Sequence, residues 1–264
     1  MHILTCINKK YLPYFTAMLR SFAAHNEGEH QVFVVTKEVT ESDLLPYRAY
    51  LPERIKITPI AFDETLLQGA PTVKKWPKEI YYRIFAAQYL PKDLNRILYL
   101  DSDIIVKGDI RELYETPFDG NLFIATTNIH NKLFRRFILW KNGATKHHVY
   151  ANTGVLLMNL TALKEEQDVA AVISYIRRKK RLLALPDQDV ISTLYGLKIS
   201  LVDNKVYNLS EREIRWNKRK KQENIDAEWV DKHAKIIHYL SQNKPWKDDY
   251  KGILKPWYDA YKIE

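Results

Sequence analysis

Short apolar segments alternate with amphipathic, helix-like segments through the first half of the chain, and this alternation limits the possible fold more than any other feature. Segments 3–6, 31–35, 55–60 and 96–100 have the length and the β-branched and aromatic content of buried strands. Helices are predicted between them, at 11–24, 42–50 and 79–90. This order predicts an α/β fold with an open, mostly parallel sheet, in which ligands bind beyond the carboxyl ends of the strands.

The second half of the chain is more mixed. Strands are predicted at residues 121–126, 154–158 and 235–239, and helices at 168–181 and 187–194. A length of 264 residues suits one large domain, or one domain with a small appendage. We expect the main domain to cover residues 1–246 and a short tail, rich in basic and aromatic side chains, to cover 247–264.

Composition bears on the compartment and on the partners. Cys6 is the single cysteine, so no disulfide can form within the chain, and this is compatible with a reducing cytosol. The first apolar run is too short for a signal peptide, and no window approaches the roughly 18 apolar residues of a membrane span. The net charge of +9 favours anionic partners such as nucleotides, nucleic acid or acidic lipid, or forms a solvated basic surface. We therefore expect a cytoplasmic protein.

Two carboxylates follow the strand predicted to be central. Asp101 and Asp103 flank Ser102 directly after residues 96–100, and both can turn toward one divalent cation that shares its oxygen ligands with a diphosphate. His238 ends another apolar segment, and a site with two carboxylates and one imidazole suits Mn²⁺ better than Mg²⁺. Each feature alone also has a plain explanation, because acidic triplets are common in turns and most such histidines are structural.

Further polar groups lie near the ends of predicted elements. Asn152 and Gly154 form either an ordinary turn or a close approach to a sugar hydroxyl or phosphate. At the start of a helix, Asp187 is either a cap or, beside Gln188, a contact to sugar hydroxyls. Two cations are suited to phosphate: Arg83, for which surface exposure is the default, and Lys244.

The order of these features is more specific than any one of them. They are an N-terminal strand, Tyr82-Arg83, Leu100-Asp101-Ser102-Asp103, Asn152-Thr153-Gly154, Leu185-Pro186-Asp187-Gln188-Asp189, Tyr207-Asn208, His238 and Lys244-Pro245-Trp246. In this order the chain resembles glycosyltransferase family 8, which includes bacterial lipooligosaccharide galactosyltransferases and glycogenins. The resemblance covers almost the whole chain up to Trp246.

The resemblance implies a fold and a reaction. The fold is GT-A, a Rossmann-like, mixed and mostly parallel sheet flanked by helices, so that residues 1–246 become the GT-A catalytic domain. The reaction is a Mn²⁺-dependent transfer of a hexose from a UDP-sugar to a saccharide acceptor with retention of configuration. Galactose is favoured as the sugar, with glucose as the alternative. The acceptor is a polysaccharide, a lipooligosaccharide or a protein-linked glycan.

The resemblance also implies roles for individual residues. The implied metal ligands are Asp101, Asp103 and His238. The implied uridine pocket contains Thr5, Cys6, Asn8 and Tyr11, with Ser102 near the ribose. Contacts to the donor sugar are implied for Arg83, Asn152, Gly154, Asp187 and Gln188, of which the candidate catalytic residues are Asp187 and Gln188. The loop after the histidine adds Ser241 and the diphosphate-binding Lys244.

Two positions depart from the family pattern. Asn8 stands where an aspartate often accepts the uracil N3 proton, and an asparagine carbonyl can accept the same proton. Ser241 stands where a glycine is usual. A serine allows fewer backbone conformations than a glycine, so the path of the loop from His238 to Lys244 is less well defined by the resemblance.

Retention of configuration can follow two routes. A double displacement needs a nucleophile on the sugar face opposite UDP. The candidate position holds Gln188, whose amide is a poor nucleophile, and Asp187 is a carboxylate that can also serve only to bind sugar hydroxyls. We therefore expect same-face attack by the acceptor, with a UDP oxygen taking its proton.

Two segments outside this centre have predicted roles. Residues 68–78, which include Gly69, Pro71 and Pro77, are predicted to form a lid over the donor. The tail after Lys247 and the basic run at 218–221 combine basic and aromatic side chains. This composition suits peripheral contact with an anionic membrane at the inner face of the cell membrane, or aromatic packing on the core beneath solvated lysines.

Two other classes compete with the transferase. A phosphatase of the haloacid-dehalogenase class also places two such aspartates after a strand, but normally after the first strand of the fold, whereas Asp101 is far from the N-terminus. A basic nucleic-acid-binding protein fits the net charge. Its cations would be spread widely here, and an acidic pair at a strand end repels phosphate unless metal is present. We expect no nucleic-acid partner.

Overall fold

The central sheet combines a parallel half with an antiparallel half. The computed structural model describes residues 1–68, 78–240 and 242–263. Its strands are β1 (His2–Cys6), β2 (His30–Thr36), β3 (Ile55–Ala61), β4 (Arg96–Leu100), β5 (Ile104–Val106), β6 (Phe123–Thr126), β7 (Asn152–Asn159), β8 (Ile199–Leu201) and β9 (Ile236–His238). Seven of them form one sheet in the order β3-β2-β1-β4-β7-β6-β8, which places β4 at the centre as predicted.

The direction of the strands changes at β4. Strands β1 to β4 pair in parallel, β7 runs antiparallel to both β4 and β6, and β8 is parallel to β6. The carboxyl ends of β1, β4 and β6 therefore meet the amino end of β7 at one edge of the sheet. In open α/β sheets this edge binds ligands.

Helices enclose the sheet. They are α1 (Leu12–His25), α2 (Glu41–Arg48), α3 (Ala86–Tyr89), α4 (Arg111–Glu115), α5 (Lys132–Asn142), α6 (Leu160–Glu166), α7 (Val169–Lys179), α8 (Pro186–Leu194), α9 (Asn204–Tyr207), α10 (Glu211–Lys220), α11 (Ala227–His233) and α12 (Lys255–Asp259). Short 3₁₀ segments lie at Lys9–Tyr11, Glu64–Leu67, Lys78–Phe85 and Gly196–Lys198. None of the described helices is both long enough and apolar enough to cross a bilayer.

Two apolar cores lie on opposite faces of the sheet. Adjacent residues of a strand face opposite sides, so Leu98 packs with the side of the sheet that carries α1 and α2, whereas Tyr99 packs with α6, α7 and α8. The same alternation separates Ile3 from Leu4. Both faces are therefore covered, as the nearly continuous apolar sequence of β4 predicts.

The predicted elements are found with small shifts at their ends, and one differs in kind. The helix expected at 79–90 is a 3₁₀ segment, Lys78–Phe85, followed by the single turn α3, which ends before Pro91. All residues from Tyr81 to Phe85 are buried, so this segment packs on every side rather than along one helical stripe. The sequence did not predict α5.

A separate two-stranded sheet holds the last predicted strand. β9 pairs antiparallel with β5, in the register Ile104 with His238 and Val106 with Ile236. The strand predicted at 235–239 is therefore confirmed, but it lies outside the main sheet. Because β5 follows Asp103 directly, this pairing brings the far end of the chain to the carboxyl end of β4.

The C-terminal segment packs against the protein body. Tyr250, Leu254 and Tyr258 are buried in a third apolar cluster that also contains Ile237 from β9. The Tyr239 hydroxyl donates a hydrogen bond to the Leu254 carbonyl at 2.8 Å. The sequence predicted either membrane contact or core packing for the tail, and these three side chains pack in the core.

Truncation of Leu254 tests this packing. Leu254 is fully buried, whereas its neighbour Ile253 is 46% exposed. We expect Leu254→Ala to lower the free energy of unfolding by about 2–4 kcal/mol, because it removes buried methyl groups and leaves a cavity. The control Ile253→Ala should change it by less than about 0.5 kcal/mol. Urea unfolding measures both values, and equal effects of the two variants would show that the tail does not belong to the folded core.

Candidate active site

Polar side chains from distant parts of the chain meet at the edge of the sheet described above. Asp101 directly follows β4, and its backbone N–H donates to the Gly154 carbonyl of β7 at 2.9 Å. This bond continues the β4–β7 ladder by one residue, beyond the pair Leu100 and Val155. The ladder therefore fixes the position of Asp101 against the start of β7.

The β5–β9 pair delivers the imidazole. His238 Nε2 lies 3.2 Å from Asp103 Oδ1 and 3.7 Å from Asp101 Oδ2. One potential ligand atom from each of these residues lies within 4.8 Å of the others. The structure thus brings the three predicted metal ligands together, and two carboxylates with one imidazole form a donor set suited to a divalent cation.

Hydrogen bonds fix the orientation of the histidine ring. Asn208 donates from Nδ2 to Thr126 Oγ1 at 2.6 Å and to Asn152 Oδ1 at 2.9 Å, so its Oδ1 remains as an acceptor. That oxygen lies 2.8 Å from His238 Nδ1. The network therefore assigns the proton to Nδ1 and leaves the lone pair of Nε2 directed at the carboxylates, as a metal ligand requires.

Gly154 makes room for this ring. A Cβ atom at this position would lie 2.2 Å from His238 Cε1 and 2.7 Å from Asp101 Oδ2. Both distances are far below van der Waals contact, so no other residue type fits without displacing a predicted ligand. The glycine was singled out for a close approach to substrate, and the structure adds a steric reason within the protein.

Arg83 is buried between two carboxylates. Its guanidinium lies 3.0 Å from Asp101 Oδ1 and 3.2 Å from Asp187 Oδ2, and it donates to the Thr153 carbonyl at 3.0 Å. It also stacks over the Tyr99 ring at 4.1 Å. The default expectation of a surface arginine is therefore wrong. Its contacts hold Asp101 and Asp187 in fixed positions.

The carboxylates of the site differ in their environments. Burial raises the pKa of Asp187 above its ordinary value, although Arg83 and the Thr153 hydroxyl, which donates to it at 2.6 Å, oppose the rise. Burial also acts to raise the pKa of Asp103, but Lys244 and His238 outweigh it and hold that pKa below its ordinary value. Asp103 is therefore an anion at neutral pH, as a metal ligand must be.

Lys244 contacts the site directly. Its amine donates to Asp103 Oδ2 and, at 2.8 Å, to the Tyr239 carbonyl. The amine also lies 5.8 Å from the centre of the Trp246 ring. The lysine of the Lys244-Pro245-Trp246 motif thus neutralises one of the two predicted aspartate ligands, and it lies where an anion bound beside those ligands would meet it.

The predicted uridine residues lie at the end of β1 and in the turn that follows. Thr5 is fully buried, and its hydroxyl has no hydrogen-bond partner within the described part of the chain. Burial raises the pKa of the Cys6 thiol to about 12, so this free cysteine is not a nucleophile at neutral pH. Asn8 Oδ1 accepts from the Lys10 N–H at 3.1 Å, and the Tyr11 ring is 38% exposed.

The remaining predicted residues lie at the start of β7, in the first turn of α8 and in two loops. Asn152 donates to Gln188 Oε1 at 3.1 Å, which links the start of β7 to the first turn of α8. Ser102 is half-buried in the turn between the two aspartates. Ser241 and residues 69–77 of the predicted lid lie outside the described residues.

Sequence reasoning assigned no role to several groups of this site. Asn208 and Thr153 orient His238 and Asp187, and both stood inside recognised motifs, which was the available signal. Tyr99 donates to Asp101 Oδ1 at 2.7 Å from within an apolar strand. Only the folded chain shows that this tyrosine contacts a predicted metal ligand.

The paired charges generate a stability prediction. Arg83→Met keeps most of the side-chain volume but leaves the buried Asp187 without its cation, which we expect to cost about 3–5 kcal/mol in unfolding free energy. The double variant Arg83→Met/Asp187→Asn should recover part of that loss, because it removes the uncompensated charge. Urea unfolding of the two single variants and the double variant tests this. Strictly additive effects would contradict coupling between the two groups.

Comparison with known proteins supports one class for this arrangement. The family model described as Glycosyl transferase family 8 matches residues 2–250. A lipopolysaccharide 1,2-glucosyltransferase of Escherichia coli K12 is 25% identical over 262 residues, which cover 97% of this chain and 75% of that protein. The lipopolysaccharide glucosyltransferase WaaO of the same organism is 30% identical over 239 residues, which cover 87% and 68%.

The fold agrees with this match. The galactosyltransferase LgtC, solved in complex with donor and acceptor sugar analogs, superposes with a TM-score of 0.81 at 20% sequence identity, covering 99% of this chain and 95% of that chain. At this identity the likeness shows the fold, which is the GT-A glycosyltransferase fold. The family match separately favours the transferase over the phosphatase and nucleic-acid-binding alternatives. The chain is an enzyme that belongs to glycosyl transferase family 8.

Proposed function

We propose that the protein transfers a hexose from a UDP-sugar to a saccharide acceptor with retention of configuration and with Mn²⁺ as cofactor. One observation carries the proposal: Asp101, Asp103 and His238 converge within 4.8 Å beside Lys244, in a member of a glycosyltransferase family. Carboxylates can bind one side of a divalent cation while diphosphate oxygens bind the other, and a nearby lysine can contact the same diphosphate. In this proposal residues 1–246 form the catalytic domain and residues 247–264 the tail.

The donor set fits the metal. His238 presents Nε2 because Asn208 accepts from Nδ1, and Gly154 leaves space for the ring. When bound, Mn²⁺ would act as a Lewis acid that neutralises the leaving UDP. Arg83 and His238 are held by contacts within the chain, so they supply an electrostatic environment that is fixed before substrate arrives.

Lys244 has a second role in this proposal. Its amine balances the charge of Asp103. If Asp103 held a divalent cation, Lys244 would no longer be needed for that balance and would be free to contact the diphosphate of the donor. Arg83 is less free to do the same, because its guanidinium is already held by Asp101 and Asp187. We therefore assign phosphate contact to Lys244 and assign Arg83 mainly to the positioning of carboxylates.

The uridine pocket follows from the end of β1. The exposed Tyr11 ring offers a face for stacking on uracil. The Asn8 carbonyl already accepts from Lys10, but a second lone pair is available for the uracil N3 proton. The unpartnered Thr5 hydroxyl and the Ser102 side chain are the remaining polar groups that we assign to the nucleoside.

The retaining step fits same-face attack better than a double displacement. Asp187 Oδ2 is held by Arg83 and by the Thr153 hydroxyl, which makes this carboxylate a poor candidate to move onto an anomeric carbon. Gln188 is an amide whose oxygen accepts from Asn152, so its NH₂ group is the part that can contact a substrate hydroxyl. We assign both residues to binding of the donor sugar, and we assign the acceptor proton to a UDP oxygen.

The names of the relatives guide the choice of substrates. The Escherichia coli relatives are named as lipopolysaccharide glucosyltransferases and the superposed structure as a galactosyltransferase. We infer a lipid-linked saccharide of the lipooligosaccharide type as acceptor, ahead of a polysaccharide or a protein-linked glycan. Galactose stays our prediction for the donor, with glucose as the alternative. A cytoplasmic location stays a prediction that the free Cys6 fits.

A donor screen tests the reaction and the metal together. In the absence of acceptor, we expect the enzyme to hydrolyse UDP-galactose slowly in the presence of Mn²⁺ and to lose this activity with chelator. Asp103→Ala should reduce the rate at least about 100-fold, because it removes a ligand of the charge-neutralising cation. The exposed Asp93→Ala serves as the matched control and should retain the wild-type rate. Metal-independent hydrolysis, or wild-type turnover by Asp103→Ala, would refute the metal assignment.

A trapping experiment tests the retaining route. We incubate the enzyme with Mn²⁺ and a UDP-2-deoxy-2-fluoro-hexose, whose fluorine slows breakdown of any glycosyl-enzyme, and measure the mass of the intact protein. Same-face attack predicts an unmodified chain, since no side chain becomes glycosylated. A hexosyl adduct that peptide mapping assigns to Asp187 would overturn this mechanism and support a double displacement.

A further inference from the structure

Helix α5 exposes a row of large apolar side chains. Leu133, Phe134, Phe137 and Trp140 are 75%, 49%, 54% and 73% exposed. At 100° per residue they occupy one side of the helix, opposite the side that buries Leu139 and Asn142. We call the four side chains the α5 face. Four large exposed apolar side chains on one side of a helix indicate an interaction site, because single exposed apolar residues are common whereas clustered ones mark such sites.

The surroundings of this face are basic. Residues 120–164 contain no aspartate or glutamate, and α5 itself carries Lys132, Arg135, Arg136 and Lys141. The first three have no ion-pair partner within the part of the chain that the structure describes. Lys141 donates to the Leu182 carbonyl at 2.7 Å, which holds the exposed Arg178, Lys180 and Arg181 near the C-terminal end of α5. The exposed Lys132 and Arg136 therefore border the α5 face and Lys141 lies at its C-terminal end, whereas the half-buried Arg135 lies on the side of Leu139 and Asn142.

We propose that the α5 face binds an anionic lipid bilayer. The combination of an apolar face containing Phe and Trp with flanking Lys and Arg is that of helices that lie in the plane of a membrane interface. Apolar side chains enter the boundary between headgroups and acyl chains while the cations meet lipid phosphates. A second copy of this chain is a poorer occupant, because a two-fold contact would place the same unpaired cations opposite each other.

The position of α5 links the membrane to the active site. Asn142 at the end of α5 donates to Asp189 Oδ1 at 2.8 Å, and the Tyr150 hydroxyl donates to the same oxygen at 2.9 Å. Asp189 lies in the first turn of α8, next to Gln188 and Asp187. The bilayer would thus lie beside the helix that carries the donor-sugar residues. This consequence, which rests on the proposed function, favours an acceptor saccharide whose lipid anchor remains in the membrane.

The α5 face is a further candidate for membrane contact, beside the tail and the basic run 218–221 for which the sequence predicted it. The tail side chains Tyr250, Leu254 and Tyr258 are buried, so they present no surface to lipid. The exposed apolar residues of α5 satisfy the same physical requirements at a different place. A membrane contact through α5 leaves the packing of the tail unchanged.

Vesicle flotation tests the proposal without any need for turnover. Wild-type enzyme should float with vesicles of phosphatidylglycerol and phosphatidylethanolamine, and it should stay at the bottom with pure phosphatidylcholine. Leu133→Ser/Phe137→Ser/Trp140→Ser should reduce the floating fraction about tenfold. Lys132→Glu/Arg136→Glu should reduce it as well, and high salt should weaken wild-type binding because it screens the charge attraction.

A matched control separates the α5 face from general surface hydrophobicity. Leu45→Ser/Leu197→Ser removes two side chains that are 63% and 66% exposed elsewhere, and this variant should float like the wild type. Acceptor-independent hydrolysis of the donor should be unchanged in all variants, and this result would show that they are folded. Flotation does not depend on turnover, so a failure of the proposed function can be distinguished from a failure of membrane binding.

Three outcomes would overturn the proposal. The first is wild-type enzyme that stays at the bottom with anionic vesicles. The second is equal flotation of the triple variant and the control variant. The third is light scattering that shows a wild-type dimer converted to a monomer by the triple variant without any flotation, which would assign the α5 face to a second copy of the chain.

Discussion

The antiparallel pairing of β5 with β9 is the contact on which the active site depends. It places His238 opposite Ile104, directly after Asp103, and so joins residues that are far apart in the sequence. Without it, the two carboxylates would stand at the end of β4 with no imidazole and no nearby lysine. The pair is held by its position between α1 and the C-terminal cluster, where Ile105 and Ile237 are both fully packed. The aromatic tail therefore supports the site indirectly, because it packs against β9, the strand that carries His238.

A second constraint is the balance of charge at the sheet edge. Three carboxylates lie close together, and each has a fixed counter-charge or donor: Arg83 bridges Asp101 and Asp187, and Lys244 contacts Asp103. Buried charges of one sign are costly unless they are paired, so these cations offset part of the cost of placing three carboxylates at one edge of the sheet. Asp101, Asp187 and His238 are consequently held in place by the chain itself. Such preorganisation favours catalysis because the groups need not be assembled during the reaction.

Local sequence pattern was sufficient for most of the fold. Each predicted strand exists, and β4 is central. Its last four residues are apolar and buried on both faces of the sheet, as an interior strand requires. The pattern did not show that β9 leaves the main sheet, since pairing partners depend on long-range packing that periodicity does not encode. Nor did it show the 3₁₀ form of Lys78–Phe85, which is decided by burial on every side.

The candidate site was predictable to a similar degree. Asp101, Asp103 and His238 were named from residue type and order, and the structure places them together. Their supporting groups were harder to recognise. Asn208 acquires its function only through the three partners that it contacts. Gly154 is needed because any Cβ at this position would clash with His238, and this contact exists only after β7 lies against that ring. Supporting residues of this kind are defined by tertiary contacts, so one sequence alone gives little warning of them.

Helix α5 also shows that a sequence pattern does not determine tertiary contacts. Its apolar residues have helical spacing, and in a sequence such a row is normally assigned to the core. Here Leu139 and Asn142 face inward, and the more apolar side faces outward. The two sides of the helix therefore act in different ways: Asn142 joins Asp189 in the support of α8, while the outward side remains available for lipid. One short rigid helix would then fix both the distance and the orientation of the donor site relative to a bilayer. An enzyme that must meet an acceptor anchored in a membrane needs such a fixed geometry, since a flexible tail would hold it near the surface without orienting its active site.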